Sequence, residues 1–316
     1  MVEKSHLRLL SHLIEEVESE VDISTLADQL DWSPGHTSRT LSELEAYGYV
    51  QTKQSGRQKL ASPINIEPIE QLEGLLTEYR HMDLPDLIAG TGLLVLYYLD
   101  QGRTASELAE RSDVSNATIY RRLADFQRVG VVGKSKSQYR LNEPFAVLAP
   151  IARGLLHQKH RREADRHASG LNFLWERHDE FLFACDSDVT ADGFYLTGPA
   201  LFEAFDVPLL TRDRRHYFRT DRLSEITPAE LVCHTLLTDD GPRYRMYCLL
   251  LMQQQNIERT VLRKRAEHYL PEASNDLRAI VNELIEYLET DGTTTTEQLP
   301  KWEDFKQTAR DYEITV

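Results

Sequence analysis

Lysine is scarce in this chain. Only nine of 316 residues are Lys, against 27 Arg, while 51 Asp and Glu bring the net charge to −15. Cysteine is scarcer still: Cys185, Cys233 and Cys248 stand well apart. Three scattered thiols exclude a disulfide framework and leave no Cys-based zinc set. No run approaches the ~18 apolar residues of a membrane span. The longest apolar stretches, 93–99 and 247–252, suit short core segments. The first residues, Met1-Val2-Glu3-Lys4, show no signal-peptide pattern, so the expected location is cytoplasmic. Phosphate loops of the Gly-x-x-x-x-Gly-Lys type, Gly-x-Ser-x-Gly elbows and His-Glu-x-x-His helices are all missing. The expectation is a non-enzyme that holds no cofactor and no metal.

What the chain has instead is carboxylate. Excess Asp and Glu with little Lys marks a salt-adapted protein, because carboxylates keep a surface soluble when salt screens ordinary repulsion. At about 150 residues per domain, the length calls for two or more domains.

One supersecondary unit occurs twice. Leu26-Ala27 matches Leu108-Ala109, Ser33 matches Ser115, Arg39 matches Arg121 and Leu41 matches Leu123. Gly48 matches Gly130 and Val50 matches Val132, and every pair has the same offset of 82 residues. In the first copy, residues 4–17 carry leucines at helical spacing. Ser24 is placed to cap a short helix holding Leu26, Ala27 and Leu30, and Asp31-Trp32 form a tight turn. Ser33 caps a third helix, with Pro34 at the first position where a missing N–H costs nothing. Gly48 stops that helix. Two β-prone stretches, 49–53 and 58–61, follow around Ser55-Gly56. The second copy repeats the order with helices at 86–99, 104–111 and from Ser115, then strands at 131–134 and 138–142.

This order is that of a winged helix-turn-helix. The stretch Leu108-Ala109-Glu110-Arg111-Ser112-Asp113-Val114-Ser115-Asn116-Ala117-Thr118-Ile119-Tyr120-Arg121-Arg122-Leu123 resembles the transcription regulators of the MarR and ArsR type. With the composition, the resemblance points to regulators of salt-loving archaea. It covers residues 4–62 and 85–145. It implies a sequence-specific DNA-binding regulator, by default a repressor, that acts on double-stranded DNA as a homodimer. The expected fold class is α+β and mainly helical. It consists of two winged units (1–62 and 85–145), a helical linker (63–84), a connecting helix (146–178), a mixed α/β or helical C-terminal oligomerisation or sensor domain (179–290), and a flexible tail (291–316). Trp302, Phe305 and Tyr312 in that tail are suited to docking.

In such a unit the third helix enters the major groove. The expected contacts of the second copy are Ser115, Asn116, Thr118, Tyr120, Arg121 and Arg122, with Lys134, Lys136 and Arg140 on its wing. Those of the first are His36, Thr37, Ser38, Arg39 and, beside them, Thr40, with Lys53, Arg57 and Lys59 on its wing. Arg can bond guanine in bidentate fashion and Asn adenine. Thr, Ser, Tyr and Lys serve phosphates. Regional charge separates the copies: residues 1–62 hold six basic and ten acidic residues, while 85–145 hold eight and seven. The second copy is therefore the expected main reader.

The basic run His157-Gln158-Lys159-His160-Arg161-Arg162 has three readings: a solvated face, extra DNA contact, or a metal site through His157 and His160. Further on, residues 194–209 resemble the opening helix of nucleotidyltransferase-like domains, including those of the AbiEi antitoxins. An active domain of that kind needs Gly-Ser and a carboxylate pair for two metals. Here Pro199 follows Gly198, and Thr211-Arg212-Asp213-Arg214-Arg215 offers one carboxylate. The resemblance implies a scaffold without activity, and an alternative role as an antitoxin-like autorepressor with a protein toxin partner. A winged-helix protein–protein adaptor is the other alternative. Cys233 and His234 lie in an apolar helix, where a core role is expected.

Overall fold

The computed structural model describes residues 2–16, 20–56, 58–209, 214–273, 275–293 and 296–316. Helices carry 55% of the chain and strands 14%, so the fold is α+β and mainly helical. Contacts divide it into two compact units, Met1–Glu163 and Ala164–Val316.

The first unit opens with α1 (Lys4–Glu15), β1 (Val21–Asp22), α2 (Ile23–Leu30), α3 (Pro34–Tyr47), β2 (Val50–Ser55) and β3 (Gln58–Pro63). Its sheet has the antiparallel order β1-β3-β2. After α4 (Glu67–Glu78), the same order returns as α5 (Leu84–Ile88), α6 (Thr91–Tyr97), β4 (Arg103–Thr104), α7 (Ala105–Ser112), α8 (Asn116–Arg128), β5 (Val132–Ser135) and β6 (Gln138–Leu141). The second sheet runs β4-β6-β5. A 3-10 turn at Glu143–Phe145 leads into α9 (Leu148–Asp165).

Two local expectations need correction. Asp22, not Ser24, caps α2, accepting from the N–H groups of Ser24 and Thr25. The helix expected over 86–99 is broken into α5 and α6 at Ala89-Gly90. There Gly90 adopts φ 59° and donates its N–H to the Val2 carbonyl at 2.9 Å. A continuous apolar run hides such a break, because buried helix and buried turn share one composition. Within the expected helical linker, 63–84, α4 buries Ile69, Leu72, Leu75 and Leu76. Val17 lies outside the described residues.

A single hydrophobic core runs from Val2 to Leu156 through both copies. Arg8 grips Asp86 with Nε and an Nη at 2.7 and 2.9 Å, joining α1 to α5. The Tyr49 hydroxyl donates to the Leu155 carbonyl at 2.6 Å, tying the first copy to α9. Arg153 of α9 reaches the Tyr97 carbonyl and Asp100 of the second copy.

The second unit contains β7 (Asn172–Glu176), β8 (Phe181–Cys185) and β9 (Phe194–Thr197), then a 3-10 helix at Gly198–Phe205 and β10 (Arg215–Arg219). Five α-helices follow among the described residues: α10 (Pro228–Thr238), α11 (Pro242–Gln254), α12 (Arg259–Tyr269), α13 (Leu277–Glu289) and α14 (Trp302–Asp311). The sheet is antiparallel in the order β7-β8-β10-β9. Leu182 and Phe218 face the core that the helices share, and Phe181, Phe183 and Tyr217 form a smaller cluster. The segment 146–178 thus is not one helix, since α9 ends at Asp165 and β7 follows. Nor are residues 302–311 a loose tail. Phe305 and Ala309 of α14 are fully buried, and the Trp302 ring lies 5.5 Å from that of Tyr287. Among the described residues, no helix is long and apolar enough to cross a membrane.

Candidate nucleic-acid interface

The two helix-turn-helix segments are built alike, residue by residue. Asp31 and Asp113 both adopt the left-handed conformation, at φ 53° and 55°, and turn the chain between the paired helices. Short Asp side chains tolerate that region better than most. In the second copy Thr104 and Glu107 form a reciprocal cap on α7: Glu107 accepts from the Thr104 N–H at 2.6 Å, and Thr104 accepts from the Glu107 N–H at 3.2 Å. These bonds hold the Glu107 carboxyl below its ordinary pKa. Ser115 caps α8 by accepting the Thr118 N–H at 3.3 Å, as Ser33 caps α3 through His36.

On α8, Ile119, Leu123 and Phe126 face the core. The opposite face carries exposed Asn116, Tyr120 and Arg121. Tyr120 is 53% exposed, which leaves its ring available for contact. Arg121 makes no ion pair among the described residues, so its guanidinium is uncommitted. Ser115 and Thr118 are partly occupied, their hydroxyls 3.0 Å apart. Arg122 does not share the exposed face. Its Nε is buried without a hydrogen-bond partner, and the side chain lines a groove with Asp125 and Val129. Sequence spacing could not separate Arg121 from Arg122; only the rotation of α8 against its core does.

The β5–β6 hairpin of the second copy carries three further cations. Lys134 stands 4.9 Å over the Tyr139 ring. Lys136 sits at the hairpin turn with φ 55°, exposed. Arg140 pairs with Gly133 across the strands and is exposed. None of the three forms a salt bridge among the described residues.

The first copy is differently charged at the same places. Lys53 meets Glu20 at 2.5 Å, and Lys59 meets Glu45 at 3.4 Å. Thr37 is fully buried and donates to the Ser33 carbonyl at 3.3 Å, so it cannot touch a base; Thr40 is buried as well. His36 is exposed but packs on Trp32, with ring centroids 4.6 Å apart. Ser38 and Arg39 remain exposed. Arg57 lies outside the described residues.

Most of the other basic groups are engaged within the protein. In α9, Gln158 donates to the Gly48 carbonyl at 3.2 Å and Lys159 stands 5.4 Å over the Tyr47 ring. This side of α9 therefore covers the C-terminal end of α3, where cations suit the helix dipole. Arg214 pairs with Asp186 at 2.8 Å, Arg215 with Asp188 at 2.6 Å and Arg219 with Asp221 at 2.8 Å. Residues 211–213 fall outside the described residues.

The second unit holds a buried polar chain. Thr197 Oγ1 lies 2.8 Å from His234 Nδ1, and His234 Nε2 lies 2.8 Å from the Tyr269 hydroxyl. Burial pushes the His234 imidazole down to about 3, helped by the charges of His268 and Arg265. Cys233 beside it is fully buried, and burial raises its thiol. Both are core residues, with no exposed nucleophile between them. Glu180 is buried too. Desolvation works to raise its pKa, but bonds from His268 at 2.8 Å and Thr220 at 2.5 Å outweigh it and hold the group ionised.

A family model described as HVO_2833_C, C-terminal, matches residues 191–314, most of the second unit. No curated protein matches the chain.

Proposed function

We propose that this protein is a cytoplasmic, sequence-specific DNA-binding transcription regulator of a salt-adapted archaeal cell. Its two winged helix-turn-helix copies sit in the first unit, and the second copy is the main reader. The observation that carries this reading is a charge contrast between equivalent positions. Among the described residues, Arg121, Lys134, Lys136 and Arg140 pair with no carboxylate, whereas Lys53 and Lys59 each meet a glutamate. Free cations favour a polyanion; paired ones must first break an ion pair.

In the proposed complex α8 lies in the major groove. Arg121 donates to a guanine edge, and Asn116 serves an adenine. Tyr120, Lys134 and Lys136 hold phosphates and fix the register. The first copy lies on flanking duplex. The protein acts as a homodimer and represses by occupying a promoter. The second unit supplies dimer contacts or senses a signal.

The test is binding to genomic fragments spanning the protein's own promoter, by wild type and Arg121→Ala, from low to molar KCl. A lost bidentate base contact weakens selective binding about tenfold or more. If the folded wild type binds no fragment at any salt, the reading fails. An antitoxin-like role with a protein toxin, or an adaptor role, would then replace it.

A further inference from the structure

The groove beside α8 is an open cleft of about 490 Å³ in the first unit. Thr118, Arg122, Asp125 and Val129 share one stripe on the flank of α8, next to the exposed Tyr120–Arg121 face. The facing wall comes from Met82 to Leu87, at the start of α5.

Three carboxylates reach this groove, and each is already matched. Asp86 is held by Arg8 in bidentate fashion and by Lys4. Asp83 caps α5 through the Asp86 N–H and lies 3.7 Å from Arg8. Asp125 pairs with Arg128 at 3.0 Å. The group left over is cationic. Arg122 has its Nε buried and unbonded, with no acidic partner among the described residues. That Nε is closed to solvent, so what the side chain offers the groove it lines is an unneutralised positive charge. The apolar lining is aliphatic: Met82, Leu87 and Val129.

From this arrangement we infer that the groove binds a small organic carboxylate with a short aliphatic body. The carboxylate accepts from the Arg122 guanidinium, and the chain lies on Met82, Leu87 and Val129. The volume fits a ligand with a body rather than a bare ion. Arg122 shares a helix with Arg121, so occupancy alters how α8 presents its exposed face. This last step rests on the DNA-binding reading; the ligand site does not.

The experiment is calorimetric titration of the full chain with hexanoate, hexanamide and acetate. Wild type should bind hexanoate. Hexanamide has the same shape without the charge, and acetate the charge without the body; both should bind at least about tenfold more weakly. Arg122→Gln should lose hexanoate binding by a similar factor. Val129→Asp changes a residue 40% exposed, so folding is kept, and its added carboxylate should also weaken binding. Hexanoate should shift the apparent DNA affinity of wild type. No hexanoate binding, or equal affinity in both variants, overturns the site. Hexanoate binding that obeys these controls, in a protein that binds no DNA, upholds the site and rejects the regulator reading.

Discussion

Gly48 and Gly130 follow the ends of α3 and α8, at φ 74° and 78°, yet their surroundings differ. A Cβ on Gly130 would meet nothing within 4 Å, whereas one on Gly48 would strike the Arg162 and Gln158 side chains. Gly130→Ala should therefore carry only the left-handed cost of about 1 kcal/mol. Gly48→Ala should cost more, because the Arg162 and Gln158 side chains must also move. Urea unfolding followed by Trp32 fluorescence, which reports the first unit, can compare the two; equal losses would contradict the packing. Both glycines were legible in the sequence as helix stops, as were the caps Ser33 and Ser115. Capping chemistry is local, and a few neighbouring residues decide it. The fates of Arg121 and Arg122 were not legible. Adjacent helical residues point about 100° apart, and which one meets solvent depends on contacts with α6, which is distant in sequence.

Among the elements, α10 carries acid-sensitive packing. His234 stays neutral in the fold, its pKa lowered to about 3. His178, in the turn between β7 and β8, is lowered to about 4, chiefly by burial, with Asp179 opposing. In the unfolded chain both titrate near 6.5. As pH falls below that value, the unfolded state takes protons that the fold refuses. Stability therefore declines from about pH 6.5 toward 4, by up to ~1.4 kcal/mol per pH unit for each group. Glu180, with its depressed pKa, adds a loss in the same direction as it protonates. Thermal unfolding followed through Trp175 and Trp302 should show the second unit melting lower at each step down in pH; a flat profile would contradict these placements. At this scale the sequence misled where apolar composition ran on without interruption. α5 and α6 read as one helix, and the strand β7 was hidden in a supposed helix. The paired copies were legible, because the 82-residue offset repeats caps and turns together.

Across the whole molecule, charge is distributed against DNA except in one place. The chain carries −15, while residues 85–145 hold a net +1. The common core through α1, α4, α6 and α9 packs both copies into one compact unit. On the proposed reading, the acidic first copy is attached directly to the reader, and at low salt its field would oppose binding. Molar salt screens that opposition. Affinity should therefore fall less steeply with salt than the free cations of the second copy alone would give, at about 0.9 log units per phosphate contact. The charge contrast was legible in outline from regional counts. The pairing of Lys53 with Glu20 and Lys59 with Glu45 was not, because it depends on the hairpin's place beside distant residues. The most direct measurement compares promoter binding by Arg121→Ala and Arg39→Ala, equivalent positions in the two copies, across a KCl series. If the second copy is the main reader, Arg121→Ala loses about tenfold or more in selective affinity and Arg39→Ala loses far less. Equal losses, or a larger loss for Arg39→Ala, would contradict it.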